Sequence, residues 1–297
     1  MGDQFVISSE LFNDIQLDSE KCNNGRILSK FRYQLPKDKE SFLAIKRKRL
    51  YEDKENINEN EDRNNENKTH NVIEIEYSRE STLDLVGLQI WRGALLLADY
   101  LFHHRNELCD KQVLELGAGV GLTSIAAAMY AMRVICTDVN LGGILKLIQD
   151  NVNRNRKITK NAVKVLELNF EKKVHCSEVE VYIRRTDIFL AADVIYFDNL
   201  TDAFVATLDR VLARSKKPGA VAYVALEKRS AFSTDTDAIP PSFQYFLDKS
   251  SKMKWNIENI KLDFPQYFEY DRNKKLVLLK ITRIQDKLKE EQTDLQN

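Results

Sequence analysis

The sequence predicts an α/β protein on a doubly wound sheet, with an antiparallel pair closing one edge and an N-terminal extension ahead of it. Three observations predict this. From residue 72 short apolar runs alternate with amphipathic stretches, the mark of βαβ units. A glycine-rich turn, Gly117-Ala-Gly-Val-Gly121, separates an apolar strand from a helix. The last two apolar segments have no full crossover helix between them, which suits antiparallel neighbours.

In chain order, residues 1–51 carry scattered apolar positions (Phe5, Val6, Ile7, Leu11, Phe12, Phe31, Tyr33) that suit a strand or two in a partly ordered extension. Lys46-Arg47-Lys48-Arg49 reads either as a nuclear-import signal or as a solvated charge run. Residues 52–68 hold seven acids, six Asn and three bases, with only Ile57 to bury. Such a stretch cannot offset its ordering entropy, so 52–71 is expected to be a disordered linker. A single domain then spans 72–284. VIEIEY (72–77) alternates like a half-buried strand, and 91–103 has helical apolar spacing. QVLEL (112–116) and RVICTD (133–138) are buried strands around a helix at 122–131. A helix over 142–155, strands at 162–168 and 191–197, an amphipathic helix at 200–213 and a strand at 220–226 follow. The loop 227–243, rich in Ser, Thr, Asp and Pro, is expected to be mobile and to contribute to substrate recognition. Segments 255–262 and 275–282 form the edge pair, and 285–297 is a flexible tail.

Composition narrows the function. The 297 residues can bury a sizeable core. Lys+Arg 45 against Asp+Glu 45 gives net charge +0, so charge does not argue for a nucleic-acid partner. No apolar run approaches the roughly 18–20 residues that cross a bilayer, and MGDQFVISSE lacks the pattern of a secretory signal, so no membrane partner is expected. Cys22, Cys109, Cys136 and Cys176 form no CxxC, consistent with reduced intracellular thiols. His70, His103, His104 and His175 show no ligand spacing, and no metal is expected.

The glycine loop carries the chemistry. Glycines allow close approach of backbone to ligand, and amides are free where the next helix begins. The spacing is GxGxG, not the GxGxxG of dinucleotide sites. Glu115, two residues before the first glycine, would face a pyrophosphate unfavourably but suits a cationic ligand. This favours S-adenosylmethionine over NAD. Asp138, at the end of the second strand, is placed to accept both ribose hydroxyls of an adenosine, which either cofactor would offer.

Glu115-Leu-Gly-Ala-Gly-Val-Gly-Leu122 with Thr137-Asp138 resembles the cofactor site of the class I, seven-stranded methyltransferases. With Gly87-Leu-Gln-Ile-Trp-Arg-Gly-Ala94 and Ala192-Asp-Val-Ile-Tyr196, the chain is similar to the methyltransferase-like protein-lysine methyltransferases over residues 72–284. The resemblance implies a Rossmann-like seven-stranded sheet and S-adenosylmethionine as cofactor. It places Trp91, Glu115, Gly117, Ala118, Gly119, Asp138 and Ala192 around that cofactor. Phe170 stands where the family usually has a tryptophan against the adenine, which keeps a flat apolar face and loses the indole donor. Asp193 and Tyr196 would face the reacting amine. The reduced thiols and missing secretory signal lead to nucleus and cytoplasm as the expected compartment, and a monomer is expected; the resemblance further implies a protein substrate of the nuclear, Kin-type DNA/RNA-binding kind.

Other roles fit the same residues: Trp91 and Tyr196 as core, Asp193 as a helix cap. Strand ends of methyltransferases acting on amide or base nitrogens often read Asn-Pro-Pro-Tyr. Asp193-Val-Ile-Tyr196 suits an alkyl amine better. A nucleic-acid or small-molecule methyltransferase, or a non-catalytic scaffold that binds S-adenosylmethionine, is the alternative.

Overall fold

The structure, a computed structural model, describes residues 6–34, 71–159, 163–173, 176–229 and 240–284. The basic cluster at 46–49, the predicted linker up to residue 70 and the tail 285–297 lie outside the described residues. The chain runs β1 (Val6–Ser8), α1 (Leu11–Asp14), β2 (Asp18–Lys21), β3 (Ile27–Arg32), β4 (Val72–Tyr77), β5 (Glu80–Thr82) and a 3-10 turn (Leu83–Leu88). It continues through α2 (Arg92–His103), β6 (Gln112–Leu116), α3 (Leu122–Ala128), β7 (Arg133–Asp138), α4 (Ile144–Arg154) and β8 (Val163–Glu167). Next come α5 (Ser177–Ile183), β9 (Ile188–Ala192), α6 (Asp198–Arg214), β10 (Val221–Glu227), α7 (Pro241–Ser250), β11 (Trp255–Ile260) and β12 (Leu276–Arg283).

The main sheet has seven strands in the order β11-β12-β10-β9-β6-β7-β8. Strands β6 to β10 pair in parallel, and β12 pairs antiparallel with both β10 and β11. The central strands are apolar throughout because both faces are covered. Val113, Val134 and Ile188 join one core with α2, α3 and α4. Leu114, Ile135 and Phe189 join the other with α5, α6 and α7. Because β6 has β7 on one side and β9 on the other, chain connections leave it in opposite directions. That reversal opens a crevice beyond the carboxyl ends of the strands.

Several expectations shift. The strand read at 191–197 lies at 188–192, since Asp193 takes φ +53 and ends the ladder. Two short helices escaped the sequence reading. SEVEVYI of α5 alternates like a strand, and α7 begins in the last residues of the loop expected to be mobile and runs on to Ser250; residues 230–239 of that loop are outside the described set. Leu83–His103 also corrects the reading of apolar runs: it is 21 residues long and apolar enough to cross a membrane by length and composition. Here 72% of its apolar window is buried in the fold, and Gln89–Trp91 break it into the 3-10 turn and α2.

VIEIEY is a strand, but of a separate three-stranded sheet, β2-β3-β4. Its edge lies on α4, where Asn151 and Asn155 stand in for a neighbouring strand. Each side-chain amide bonds one residue of β4 at both main-chain groups, Asn151 with Glu76 (2.8 and 2.9 Å) and Asn155 with Glu74 (3.0 and 2.7 Å). Edge amides and carbonyls left bare under a helix would each cost a hydrogen bond. Leu11, Phe31 and Tyr33 are buried in the same core as α2, so residues 6–34 pack as part of the body that holds the site.

Asp99 on α2 secures the segment before β12. Fully buried, it accepts the amides of Tyr267 (2.7 Å) and Phe268 (3.0 Å), the Tyr270 hydroxyl (2.8 Å) and Arg272 Nη2 (2.5 Å). Asp99→Ala leaves a guanidinium and three donors without their acceptor. The expected loss is about 3–5 kcal/mol of folding stability, read as a lower urea midpoint at unchanged slope.

Candidate functional site

The crevice is a cavity of about 880 Å³, within the range of small-ligand sites. Its floor is the loop from β6 to α3, where Gly117 (φ +70) and Gly119 (φ +58) take backbone that side chains avoid. A Cβ on Gly117 would lie 2.8 Å from Val194 Cγ1, and one on Gly119 would lie 3.0 Å from the Gly87 carbonyl. The loop is thus pressed between two walls, and Ala118 N donates to Thr137 O (2.9 Å) to fix it over β7.

Two carboxylates stand under this loop. Asp138 accepts the Gly119 amide on Oδ2 (2.7 Å) and the Val139 amide on Oδ1 (2.7 Å). Each oxygen keeps a lone pair for a hydroxyl donor. Burial pushes its pKa up to about 6, against the two amides. Glu115 is 1% exposed and accepts the Ser124 hydroxyl (2.5 Å); burial, opposed by Ser124 and Thr123 at the start of α3, lifts it to about 7. Phe170 is half-buried, 5.5 Å from the Phe204 ring centroid, and presents its edge toward Gly117. Ala192, half-buried at the end of β9, and Trp91 complete the wall. Trp91 Nε1 donates to Val86 O (3.0 Å), and Arg229 stacks on its ring at 4.5 Å.

Asp193 and Tyr196 part company. Both line the cavity, but the Asp193 carboxylate is buried, accepting the Gly93 amide on Oδ2 (2.7 Å) and the Glu227 amide on Oδ1 (2.9 Å), with Arg229 at 3.5 Å. Trp91 gives α2 no side-chain cap, so Asp193 caps that helix from a distant strand. Burial raises its pKa, and Arg229 opposes this. Tyr196 is 36% exposed at the mouth, its ring 5.3 Å from Phe197, and burial of its hydroxyl with the nearby Asp138 and Asp84 charges pushes its pKa up to about 12.

The sequence reading missed the wall formed by the 3-10 turn, with Asp84 and Leu85, and the rim residues Leu141 and Glu171. Gly87-Leu-Gln-Ile-Trp91, where Gly87 touches the glycine loop, was the available signal for the turn. Leu141 and Glu171 carry no motif.

A family described as lysine methyltransferases matches residues 55–237, more than half of the chain. The chain belongs to the lysine methyltransferase family. Among relatives in that family, methyltransferase-like protein 22 of Mus musculus is 37% identical over 235 residues, covering 71% of this chain and 59% of that protein. The Homo sapiens protein of the same name is 35% identical over 235 residues, covering 71% and 58%. Protein-lysine methyltransferase METTL21E of Mus musculus is 34% identical over 131 residues, covering 43% and 52%. The chain therefore spans under two thirds of each relative's length.

The residues present fit S-adenosylmethionine, the cofactor of this lysine methyltransferase fold. The glycine cradle leaves no room for side chains and Asp138 faces the loop; among the described residues the cavity is lined by Asp84, Glu115, Asp138, Glu171 and Asp193 with no Lys, Arg or His, Arg229 standing behind Asp193 and Trp91. A pyrophosphate would meet mostly like charge there; a sulfonium and an ammonium would meet complementary charge.

The raised carboxyls set a pH dependence. A folded-state pKa above the unfolded value gives stability that is present below the usual carboxylate range and lost as pH rises through about 6 for Asp138 and about 7 for Glu115. A cationic ligand favours the ionised forms. S-adenosylmethionine is therefore expected to bind more tightly as pH rises from about 5.5 to about 7, releasing protons as it does. Calorimetry in two buffers of different ionisation enthalpy checks this; affinity flat over that window would show the carboxylates uninvolved.

Proposed function

We propose that this chain is an S-adenosylmethionine-dependent protein-lysine N-methyltransferase. The observation that carries the reading is the charge of the cavity: among the described residues, five acidic side chains and no Lys, Arg or His line a space whose two natural occupants, a sulfonium and a lysine ammonium, are both positive. Family membership supports lysine as the acceptor. As the finer part of the proposal, the acceptor lies on a nuclear nucleic-acid-binding protein of the Kin type, and the enzyme works as a monomer in nucleus and cytoplasm. For the acceptor protein, that part extends the resemblance of the motifs around Trp91, Glu115–Leu122 and Ala192–Tyr196; for the compartment, it extends the absence of a cysteine framework and of a secretory signal from the sequence.

Bound S-adenosylmethionine supplies a methyl on sulfur whose transfer forms an N–C bond as the C–S bond breaks. The protein's own groups position and desolvate. Asp138 would hold the ribose hydroxyls, the glycine loop would pass close under the cofactor, and Phe170 would offer an apolar face to the base. Asp193 holds α2 and Trp91 in register with β9 and β10, so it acts through position. Tyr196 walls the acceptor channel. A lysine amine is unreactive while protonated, near pKa 10.4. Water exclusion beside Tyr196 and the adjacent sulfonium both lower that value, and the proton leaves through the exposed mouth.

The test incubates the protein with radiolabelled S-adenosylmethionine and a cell extract, then separates protein, nucleic acid and small molecules. Label is expected on protein, resistant to nuclease and recovered as methyl-lysine after hydrolysis. Asp138→Ala is expected to lower kcat/KM by at least about tenfold. Label confined to RNA or to metabolites would replace lysine as the acceptor; bound cofactor without any transfer would favour a scaffold.

A further inference from the structure

Large apolar side chains exposed on a folded surface are ordinary when scattered and informative when gathered. Among the described residues they gather at one place. Leu83 (38% exposed), Leu141 (47%), Tyr196 (36%) and Phe197 (37%) all line the mouth of the cavity, and make up half of the exposed large apolar side chains. They come from three separate segments: the 3-10 turn after β5, the turn after β7 and the strand end after β9. The cofactor-holding floor does not account for them, because they stand at the solvent end.

Asp84 lies in the same turn as Leu83. It is exposed, lines the cavity, and no hydrogen bond or ion pair among the described residues engages it. Tyr196 lines the same cavity, and the Asp84 charge adds to the upward push on its hydroxyl. Glu115 is bonded to Ser124 on α3, Asp138 to the glycine loop and Asp193 to the backbone, which leaves Asp84 and Glu171, both exposed; of the two, Asp84 stands in the same turn as the apolar rim residue Leu83.

We propose that this mouth docks a lysine-bearing segment of the protein substrate with apolar residues beside the lysine, and that Asp84 is the specificity-determining residue that draws the lysine ammonium between Leu83 and Tyr196. The proposal deepens the lysine-methyltransferase reading and rests on it. Charge complementarity selects the occupant: among the described residues the charged groups lining the cavity are all acids, so an acidic or phosphorylated segment is repelled and a cationic one attracted. The apolar rim removes water around the entering side chain, where an ammonium against the Tyr196 and Phe197 faces and near one carboxylate gains most. Asp84 is a substrate-recognition group; it holds no part of the adenosine site.

The experiment uses the full chain saturated with S-adenosylhomocysteine and fluorescein-labelled undecapeptide pools, read by anisotropy. One pool has lysine at the centre with leucine two residues to either side; a second replaces that lysine by norleucine; a third replaces the leucines by serine. The lysine pool is expected to bind about tenfold more tightly than either, with an affinity that falls as salt rises. Asp84→Asn is expected to erase the lysine preference and flatten the salt dependence, Asp84→Glu to restore most of both, and Leu83→Ser to erase the leucine preference. Thermal midpoints within about 2 °C of wild type confirm that these exposed positions leave the fold intact. Equal binding of the lysine and norleucine pools, or a preference that survives Asp84→Asn, would overturn the proposal. Methyl transfer to the lysine pool is measured in parallel. A lysine preference that depends on Asp84 without any transfer sinks the methyltransferase reading and keeps the docking surface; transfer indifferent to Asp84 does the reverse.

Discussion

The architecture hangs on a buried carboxylate at the end of a strand. Asp193 sits where the β9 ladder stops, in a left-handed conformation that Asp tolerates better than most residues. Its own amide bonds Ala225 O at 2.8 Å, while its two oxygens take the amides of Gly93 and Glu227. One residue thus ties the first turn of α2, the end of β9 and the end of β10. Trp91 precedes that helix turn, and Arg229, near the same carboxylate, lies against its ring. Beneath them Arg92 and Glu227 form a buried pair at 2.8 Å, and Asn273 on the approach to β12 donates to the same Glu227. Removing the carboxylate would release the wall of the cavity and the strands behind it together.

Electrostatics gives the cavity its selectivity. Burial keeps protons on Glu115 and Asp138 to higher pH than in water, and the Asp138 charge adds a little to the effect on Glu115. Protonated, the two can stay buried without a cation from the protein. Ionised, they call for one, and the ligand supplies it. A side-chain cation placed here would compete with the ligand it is meant to hold, which gives a physical reason for the lining's having none.

The parallel core was legible because strands covered on both faces read as unbroken apolar runs: QVLEL and RVICTD could hardly be anything else. The glycine loop and Asp138 were legible because conformation and ligand both constrain their residue types. What escaped did so for stated reasons. α5 and α7 are too short for helical periodicity to outvote a strand-like alternation or a turn-rich neighbourhood. The β2-β3-β4 sheet depends on partners far apart in sequence, with Asn151 and Asn155 supplying its last ladder from a helix, and such pairing leaves no local pattern. Asp193 reads as an amine-facing group by its motif; what only coordinates add is that its two oxygens also take the Gly93 and Glu227 amides and so tie α2 to β10. Leu83, Leu141, Tyr196 and Phe197 are ordinary apolar letters until folding brings them to one rim.

The pairing of β3 with β4 bears on how this protein can vary. Arg32 faces Val72 in the ladder, and Tyr33 N bonds Asn71 O at 3.0 Å, so the described residues on either side of 35–70 lie side by side. In topological terms 35–70 is the connection of a hairpin. For chain closed between fixed ends, doubling the length costs only about 0.6 kcal/mol. The pairing of β3 with β4 therefore constrains the length of that connection only weakly, whereas Tyr33 and Gln34, tied to Phe268 and Tyr267, belong to the body that holds the cavity.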